Sequence, residues 1–252
     1  MQKFLNHIIL FLFSGILLAQ SPGHVQDFEK ANTEYEKGNY QEAIALYESA
    51  LNGSKKSAEA FNNLGLAYNK SGDLGKAVLN FERAIRQNPN YKNAQNNLRA
   101  ARQQVDTNIK AKSFWLFSAW NFISNALSSN YWTILFWIFL YGALSLLIFW
   151  FLSRSVKMKR IILRATIGSF ALSLLLFLFA RTSYQNLYDG RQAIVVSTQA
   201  GLRSSPDLNG EDLMILSSGV KLKIIEEKTD WSKVRLENSA VGWLPRKLIE
   251  RI

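Results

Sequence analysis

Two long apolar segments separated by a short cationic run constrain this chain more than any other feature. Residues 131–152 are 22 positions without a charge, and residues 161–180 are 20 positions with one, Arg164. Each matches the roughly 20 residues that an α-helix needs to cross the hydrocarbon core of a bilayer. The run between them, 153–160, carries Arg154, Lys157, Lys159 and Arg160 and no acid. Short loops rich in lysine and arginine stay on the cytoplasmic side. These four residues therefore set topology, and contact with anionic lipid is a generic further effect. The segments before the first span and after the second then share the opposite face.

The N-terminus carries an independent signal of the same sense. Lys3 precedes an apolar run over 8–19 that ends at Ala19 and leads into Gln20-Ser21-Pro22-Gly23. This pattern predicts a secretory signal peptide over 1–19. Leu17 departs from the small residue usual before a cleavage site, and an uncleaved anchor is the other reading. Both export the next segment. In the first span Tyr131, Trp132, Trp150 and Phe151 sit near the ends, where aromatic belts form. In the second, Ala165, Ser169 and Ser173 recur every four residues. Such a small-residue stripe allows a neighbouring helix to approach, although ordinary helix composition explains it equally well. Ahead of the first span, 113–130 combines Phe114, Trp115, Leu116, Phe117, Trp120, Phe122 and Ile123 without a charge. It predicts an aromatic helix in the membrane interface, or else an extension of the first span or a segment packed on the preceding domain.

The net charge of +11 raises the question of nucleic acid, and its distribution answers it. Residues 20–112 hold 13 basic and 10 acidic side chains, and residues 184–252 hold 10 and 9. Most of the excess flanks the apolar segments, and no basic patch interleaved with aromatics of the kind that stacks on bases is present. There is no cysteine, which excludes disulfides, thiol catalysis and a lipidated cysteine. Only His7 and His24 occur, so no histidine-based triad or metal cluster can be assembled. Gly72-Asp73-Leu74-Gly75-Lys76 lacks the spacing of a phosphate loop and the hydroxyl residue after its lysine. The expectation is a protein without catalysis, cofactor or resident metal.

A 34-residue period runs through 28–92. Gly38 aligns with Gly72, Ala43 with Ala77, Tyr47 with Phe81, Ala50 with Ala84, and Leu51 with Ile85. The second unit reads Phe61-x-x-Leu64-Gly65-x-x-Tyr68, then Ala77, Phe81, Ala84 and Pro89. This resembles the tetratricopeptide repeat. Gly65 and Ala77 let two antiparallel helices approach, Leu64, Tyr68 and Phe81 fill the space around them, and Pro89 stops the second helix. The predicted array spans 23–110: repeats at about 24–57 and 58–91, and a capping helix over 92–110. The first repeat is the weaker match because it lacks the Leu-Gly pair. The resemblance implies that the first helix of each repeat lines a peptide-binding groove. Candidate groove residues are Asn32, Tyr35, Asn62, Asn69, Lys70, Asn96 and Gln103. Asn63 and Asn97 read as repeat consensus. Phe28, Asn93 and Asn97 stand where carboxylate-clamping repeats carry basic residues, which argues against capture of a terminal carboxylate.

Beyond Arg191 the hydrophobic period becomes two. Ala193–Val196, Met214–Leu216, Val220-x-Leu222-x-Ile224, Val234-x-Leu236 and Val241-x-Trp243 predict short strands of a small barrel over 191–252. Leu202-Arg203-Ser204-Ser205-Pro206, Trp231-Ser232-Lys233-Val234 and Gly242-Trp243-Leu244 occur in the order of the bacterial SH3-like domain, which this segment resembles. Arg203, Trp231 and Trp243 are candidate barrel-surface residues; the tryptophans serve either as an aromatic platform or as core.

The predicted fold class is a multidomain membrane protein: an all-α tetratricopeptide array, a two-helix transmembrane hairpin and an all-β SH3-like barrel. That order resembles the BatE family of the Bacteroides aerotolerance proteins. The resemblance implies a Gram-negative envelope, von Willebrand factor A domain proteins as partners in the same membrane, and a cytoplasmic MoxR-type ATPase. The expected function is a non-enzymatic adaptor in the inner membrane with both soluble domains in the periplasm. The alternative is a sensor or anchor that binds peptidoglycan through the barrel.

Overall fold

The computed structural model describes residues 22–53, 56–105, 115–207 and 210–252. The predicted signal peptide lies outside the described residues, as do Phe114 and most of the link between the cap and the aromatic segment.

Helices α1 (Pro22–Glu36) and α2 (Tyr40–Gly53) form one antiparallel pair, and α3 (Ala58–Lys70) and α4 (Leu74–Gln87) form the next; α5 (Lys92–Gln104) packs on α4. The turns inside the pairs are equivalent. Gly38 and Gly72 lie at φ +84° and +88°, a left-handed conformation that glycine adopts without a Cβ penalty. Each helix of the second pair has a side-chain cap on its first turn. Ser57 Oγ accepts from the Ala60 amide at 3.0 Å, and Asp73 Oδ1 from the Lys76 amide at 3.0 Å. The small–large logic of the repeat is met in detail: Ala43, Ala77 and Ala84 are fully buried, and a Cβ on Gly65 would stand 2.6 Å from the Phe81 ring.

Helix α6 (Trp115–Ser124) is a separate ten-residue helix. Its Trp120 ring packs 4.6 Å from Phe179, and Trp132 Nε1 donates to the Ser124 carbonyl at 2.9 Å. The aromatic segment is thereby strapped across the ends of the next two helices that lie away from their connecting turn. These are α7 (Ser129–Leu152) and α8 (Val156–Tyr188), an antiparallel hairpin whose members are each long and apolar enough to cross a membrane. Their outward faces are apolar and exposed: Ile148, Phe149, Phe151 and Ile167 are each at least 60% exposed. The expected eight-residue cationic loop is a three-residue turn, Ser153 to Ser155, and Lys157, Lys159 and Arg160 belong to the first turns of α8. The reason is local. No glycine or proline interrupts 156–160, and lysine, methionine and arginine are good helix formers. Of the small-residue stripe, Ser169 donates to the Phe139 carbonyl at 2.9 Å and Ser173 is buried, whereas Ala165 is exposed. A spacing of four advances about 40° around a 3.6-residue helix at each step, so three such positions leave the shared face.

The C-terminal segment is an antiparallel sheet: β1 (Gln192–Val195), β2 (Gln199–Arg203), β3 (Asp212–Ser217), β4 (Lys221–Glu227), β5 (Trp231–Leu236), β6 (Val241–Pro245) and β7 (Ile249–Arg251). Strand order is β3-β2-β6-β5-β4-β1-β7. Strands β2 and β7 go beyond the expected set. Strand β2 hides its alternation behind Ala200 and Gly201, and β7 is three residues long. The sheet core of Ala193, Ile194, Leu202, Val234 and Leu244 is continuous with that of the helical array.

Candidate partner-binding surfaces

The first helices of the array are joined by an asparagine ladder. Tyr47 Oη donates to Asn32 Oδ1 at 2.6 Å, and Asn63 Nδ2 donates to the same oxygen at 3.2 Å. Asn62 Nδ2 donates to Asn63 Oδ1 at 3.2 Å, and Asn97 Nδ2 donates to Asn62 Oδ1 at 2.8 Å. Burial pushes the Tyr47 phenol up to about 12, so it stays a proton donor in this chain of bonds. The ladder ties α1, α3 and α5 together. Asn62 is 3% exposed and spends its amide there. Asn32, Tyr35 and Asn63 line a hollow of about 300 Å³ together with Glu36 and Leu66. Asn69 is half-buried near the end of α3, whereas Lys70, Asn96 and Gln103 are exposed. The groove candidates thus divide into a ladder member, a hollow and an open polar rim. Sequence reasoning missed Glu36 and Leu66. Their signal is a spacing of three to four residues from Asn32 and Asn63, which sets each on the same helical face.

On the sheet, Arg203, Trp231 and Trp243 share one face: Arg203 and Trp243 are cross-strand partners on β2 and β6, and Trp231 pairs with Pro245, two residues beyond Trp243. The Arg203 guanidinium lies 6.0 Å from the Trp231 ring centroid and pairs with Asp212 at 3.3 Å. Both residues line a hollow of about 230 Å³ bordered by Ile215 and Pro245. Trp243 is buried, with the Lys228 and Lys233 ammonium groups 4.9 and 5.6 Å from its ring centroid. Cations over a tryptophan face are attracted by its quadrupole, so this residue holds two lysines on the sheet face opposite the one by which its neighbour Leu244 joins the core. At the far end of the molecule Arg154, Lys157 and Arg160 are exposed, and Lys159 lies 5.2 Å from the Trp150 ring centroid.

The array and the sheet meet through α4. Val78 and Val105 close over the turn at Gly219, where a Cβ would stand 2.7 Å from Val105. Beside this contact Glu82 is buried, with Lys221 of β4 at 3.0 Å and Arg102 of α5 bonded to its other oxygen. Burial alone would push the Glu82 carboxyl up. The Lys221 ammonium and the Arg102 guanidinium outweigh that and hold it below the usual carboxylate range. Its contribution is therefore complete above the unfolded value of 4.5 and disappears as pH falls through the depressed folded value. Glu82→Gln is expected to cost about 1.5–3 kcal/mol, the range for hydrogen bonds to charged groups. It is also expected to flatten the acid limb of the stability profile, as read by thermal unfolding at a series of pH values. An acid limb unchanged from wild type would show that Glu82 is not its source. Among the described residues, no group of three or more histidine, cysteine, aspartate or glutamate side chains stands ready to hold a metal ion.

Comparison with known proteins agrees with this geometry. Residues 31–72 match the TPR repeat model, residues 58–91 match the tetratricopeptide repeat, and residues 198–250 match the bacterial SH3 domain. The chain therefore carries a tetratricopeptide array and a bacterial SH3-type sheet joined by two long apolar helices. No curated protein matches it. Among solved structures, the Sgt2 TPR domain from Aspergillus fumigatus is similar at 28% identity over 36% of this chain, with a TM-score of 0.32. The match spans 60% of that structure's chain.

Proposed function

We propose that the protein is a non-enzymatic, membrane-anchored adaptor of a Gram-negative envelope, exported by its N-terminal segment. In this reading both recognition modules lie on the periplasmic side of the inner membrane. One observation supports it above the others: the ends of the hairpin nearest the array and the sheet are stitched together. Asn186 Nδ2 donates to Asn125 Oδ1 at 3.3 Å, and Ser183 Oγ donates to the Leu127 carbonyl at 3.4 Å. The cationic turn lies at the opposite end of the two helices. A bilayer crossed by this hairpin would hold both modules on one face and the turn on the other.

The predicted limits carry over to this reading: array 23–110, interfacial helix 113–130, spans 131–152 and 161–180, SH3-like domain 191–252. The surface of the first helix of each repeat, with Asn32, Tyr35, Asn69, Lys70, Asn96 and Gln103, receives a segment of a partner protein, and the buried Asn62 holds that surface together from behind. The sheet adds a second contact, and two tethered weak sites reinforce one another through effective concentration. The resemblance to the aerotolerance proteins makes von Willebrand factor A domain proteins and a MoxR-type ATPase the first partners to seek. Co-purification from mild detergent tests the groove. Combined Tyr35→Ala and Asn69→Ala substitutions are expected to lower partner recovery about tenfold, equivalent to about 1.4 kcal/mol; undiminished recovery removes the groove from the account.

The pairing of Arg203 with Trp231 over a hollow supports a second reading, in which the sheet binds peptidoglycan. Pelleting of the detergent-solubilised chain with purified sacculi, abolished by Trp231→Ala, would favour it. Equal pelleting of wild type and variant would count against it.

A further inference from the structure

Helix α7 packs on α8 along one side, through Trp132, Leu135, Phe136 and Phe139. Thr133, Trp137, Tyr141 and Ser145 are all exposed. They recur every four residues and so form one ridge of the helix. Tyr141 lies roughly half a turn round the helix from Phe136 and Phe139, on the side away from α8.

The ridge carries hydrogen-bonding groups where a lipid-facing surface has least use for them. Tyr141 stands twelve residues after Ser129 and eleven before Leu152, the two ends of α7. At 1.5 Å per residue that is about 17 Å from either end, near the middle of the hydrocarbon. Tyrosine and tryptophan are favoured at the two interfaces, where headgroups and water supply partners. The Trp137 and Tyr141 rings stack with centroids 5.6 Å apart. Among the described residues, neither the indole N–H nor the phenol O–H has a hydrogen-bond partner. Such groups are costly in lipid.

The other two members of the ridge hold spare acceptors. Thr133 and Ser145 donate to the carbonyls of Ser129 and Tyr141 at 2.8 and 2.9 Å. Each hydroxyl oxygen still has a lone pair to offer. The ridge therefore has two unmet donors in its middle and an acceptor one turn away on either side.

Acyl chains leave both donors bare, and so does an aliphatic span of another protein. A second copy of α7 supplies what is missing. Every copy crosses the bilayer in the same orientation, so two such ridges meet in parallel and at equal depth. Phenol then faces phenol, and a phenol both donates and accepts. We propose that α7 pairs in parallel with α7 of a second copy along Thr133, Trp137, Tyr141 and Ser145, joining two hairpins within the membrane. Across that seam each indole reaches the Thr133 level of the facing helix and each phenol the Ser145 level. The proposal rests on the reading of α7 and α8 as membrane spans.

The chain has no cysteine, so a single introduced thiol reports its own neighbours. Ile148→Cys places one on the Tyr141 side of α7, and Ile161→Cys places one on α8 at the same end of the hairpin. The two positions are 60% and 59% exposed. The full chain is oxidised in the membranes of a bacterial expression host and read on a non-reducing gel. Ile148→Cys is expected to give a product of twice the chain's mass, at least about tenfold more than Ile161→Cys. Adding Tyr141→Phe is expected to lower that yield about three- to tenfold, the range for a hydrogen bond between membrane helices. Tyr141 is 60% exposed, so loss of one oxygen leaves the fold in place. Tyr131→Phe, at the interface, is expected to leave the yield unchanged.

Equal yields from the two thiols mark random collision and overturn the proposal. Insensitivity to Tyr141→Phe overturns it as well. An adduct of some other mass at Ile148→Cys, in place of the dimer, assigns the ridge to a different protein's span and also overturns it. Release of the chain by alkaline carbonate sinks the membrane reading and the proposal together. Retention in carbonate without the dimer sinks the proposal alone.

Discussion

Valine at position 75 is expected to detach the sheet from the repeat array while leaving each folded. Gly75 is the second residue of α4. A Cβ there would strike Ser218 Oγ and stand 2.8 Å from the Val195 carbonyl and 3.0 Å from Val196 Cα. Two of these atoms are backbone, and the Val195 oxygen already accepts the Gly219 amide at 2.8 Å. The sheet cannot yield locally without breaking its own hydrogen bonding, so the whole module must move. Overpacking of this kind costs about 1–3 kcal/mol. Displacement also pulls Lys221 from Glu82 and Glu250 from Arg83, the charged contacts across the same interface. Calorimetry of Gly75→Val is expected to resolve one cooperative transition into two, with faster hydrogen exchange at the Gly219 amide. A single transition at the wild-type midpoint would show that the modules do not depend on this contact.

Phe81→Ala is expected to unfold the array itself. Phe81 is 1% exposed and lies against Gly65, where the two helices of the second repeat leave no room for a Cβ. Removing a buried phenylalanine ring costs about 3–5 kcal/mol, a large share of the roughly 5–15 kcal/mol that holds an ordinary domain together. Two repeats and a cap give little reserve, because each repeat buries its apolar face only against its neighbours. Loss of helical circular dichroism at a temperature where wild type is folded is the expected result. Retention of the full signal, with a midpoint shifted by a degree or so, would mean that the core collapses around the missing ring.

The contrast between these two residues shows what the sequence discloses. Phe81 is legible because its role repeats: Tyr47 stands 34 positions earlier, and the small residues that receive it keep the same period. Gly75 is not legible, because its constraint comes from Val195 and Ser218, more than a hundred residues away, with no periodic counterpart. Glu82 behaves like Gly75. On the helix it reads as one more solvated acid, and only the fold brings Arg102 and Lys221 to it. Strands with strong alternation are legible, whereas β2 and β7, with small residues or few of them, are not. The cationic run reads as a longer loop than it is, because charge alone cannot tell a loop from the first turn of a helix. On the groove side, residue types are legible where the repeat dictates which face a helix presents. Burial of Asn62 in the ladder depends on Asn63 and Asn97 together.

Helix α8 carries a mechanical consequence. It runs unbroken for 33 residues, about 50 Å at 1.5 Å per residue, and only Asp189, Gly190 and Arg191 separate it from β1. Asp189 is clamped in that short joint by Lys223 at 2.6 Å and Arg191 at 3.1 Å. A strut so stiff, gripped so close to its load, works as a lever. Whatever tugs on the sheet will swing the remote cationic tip, and whatever grips the tip will steer the sheet.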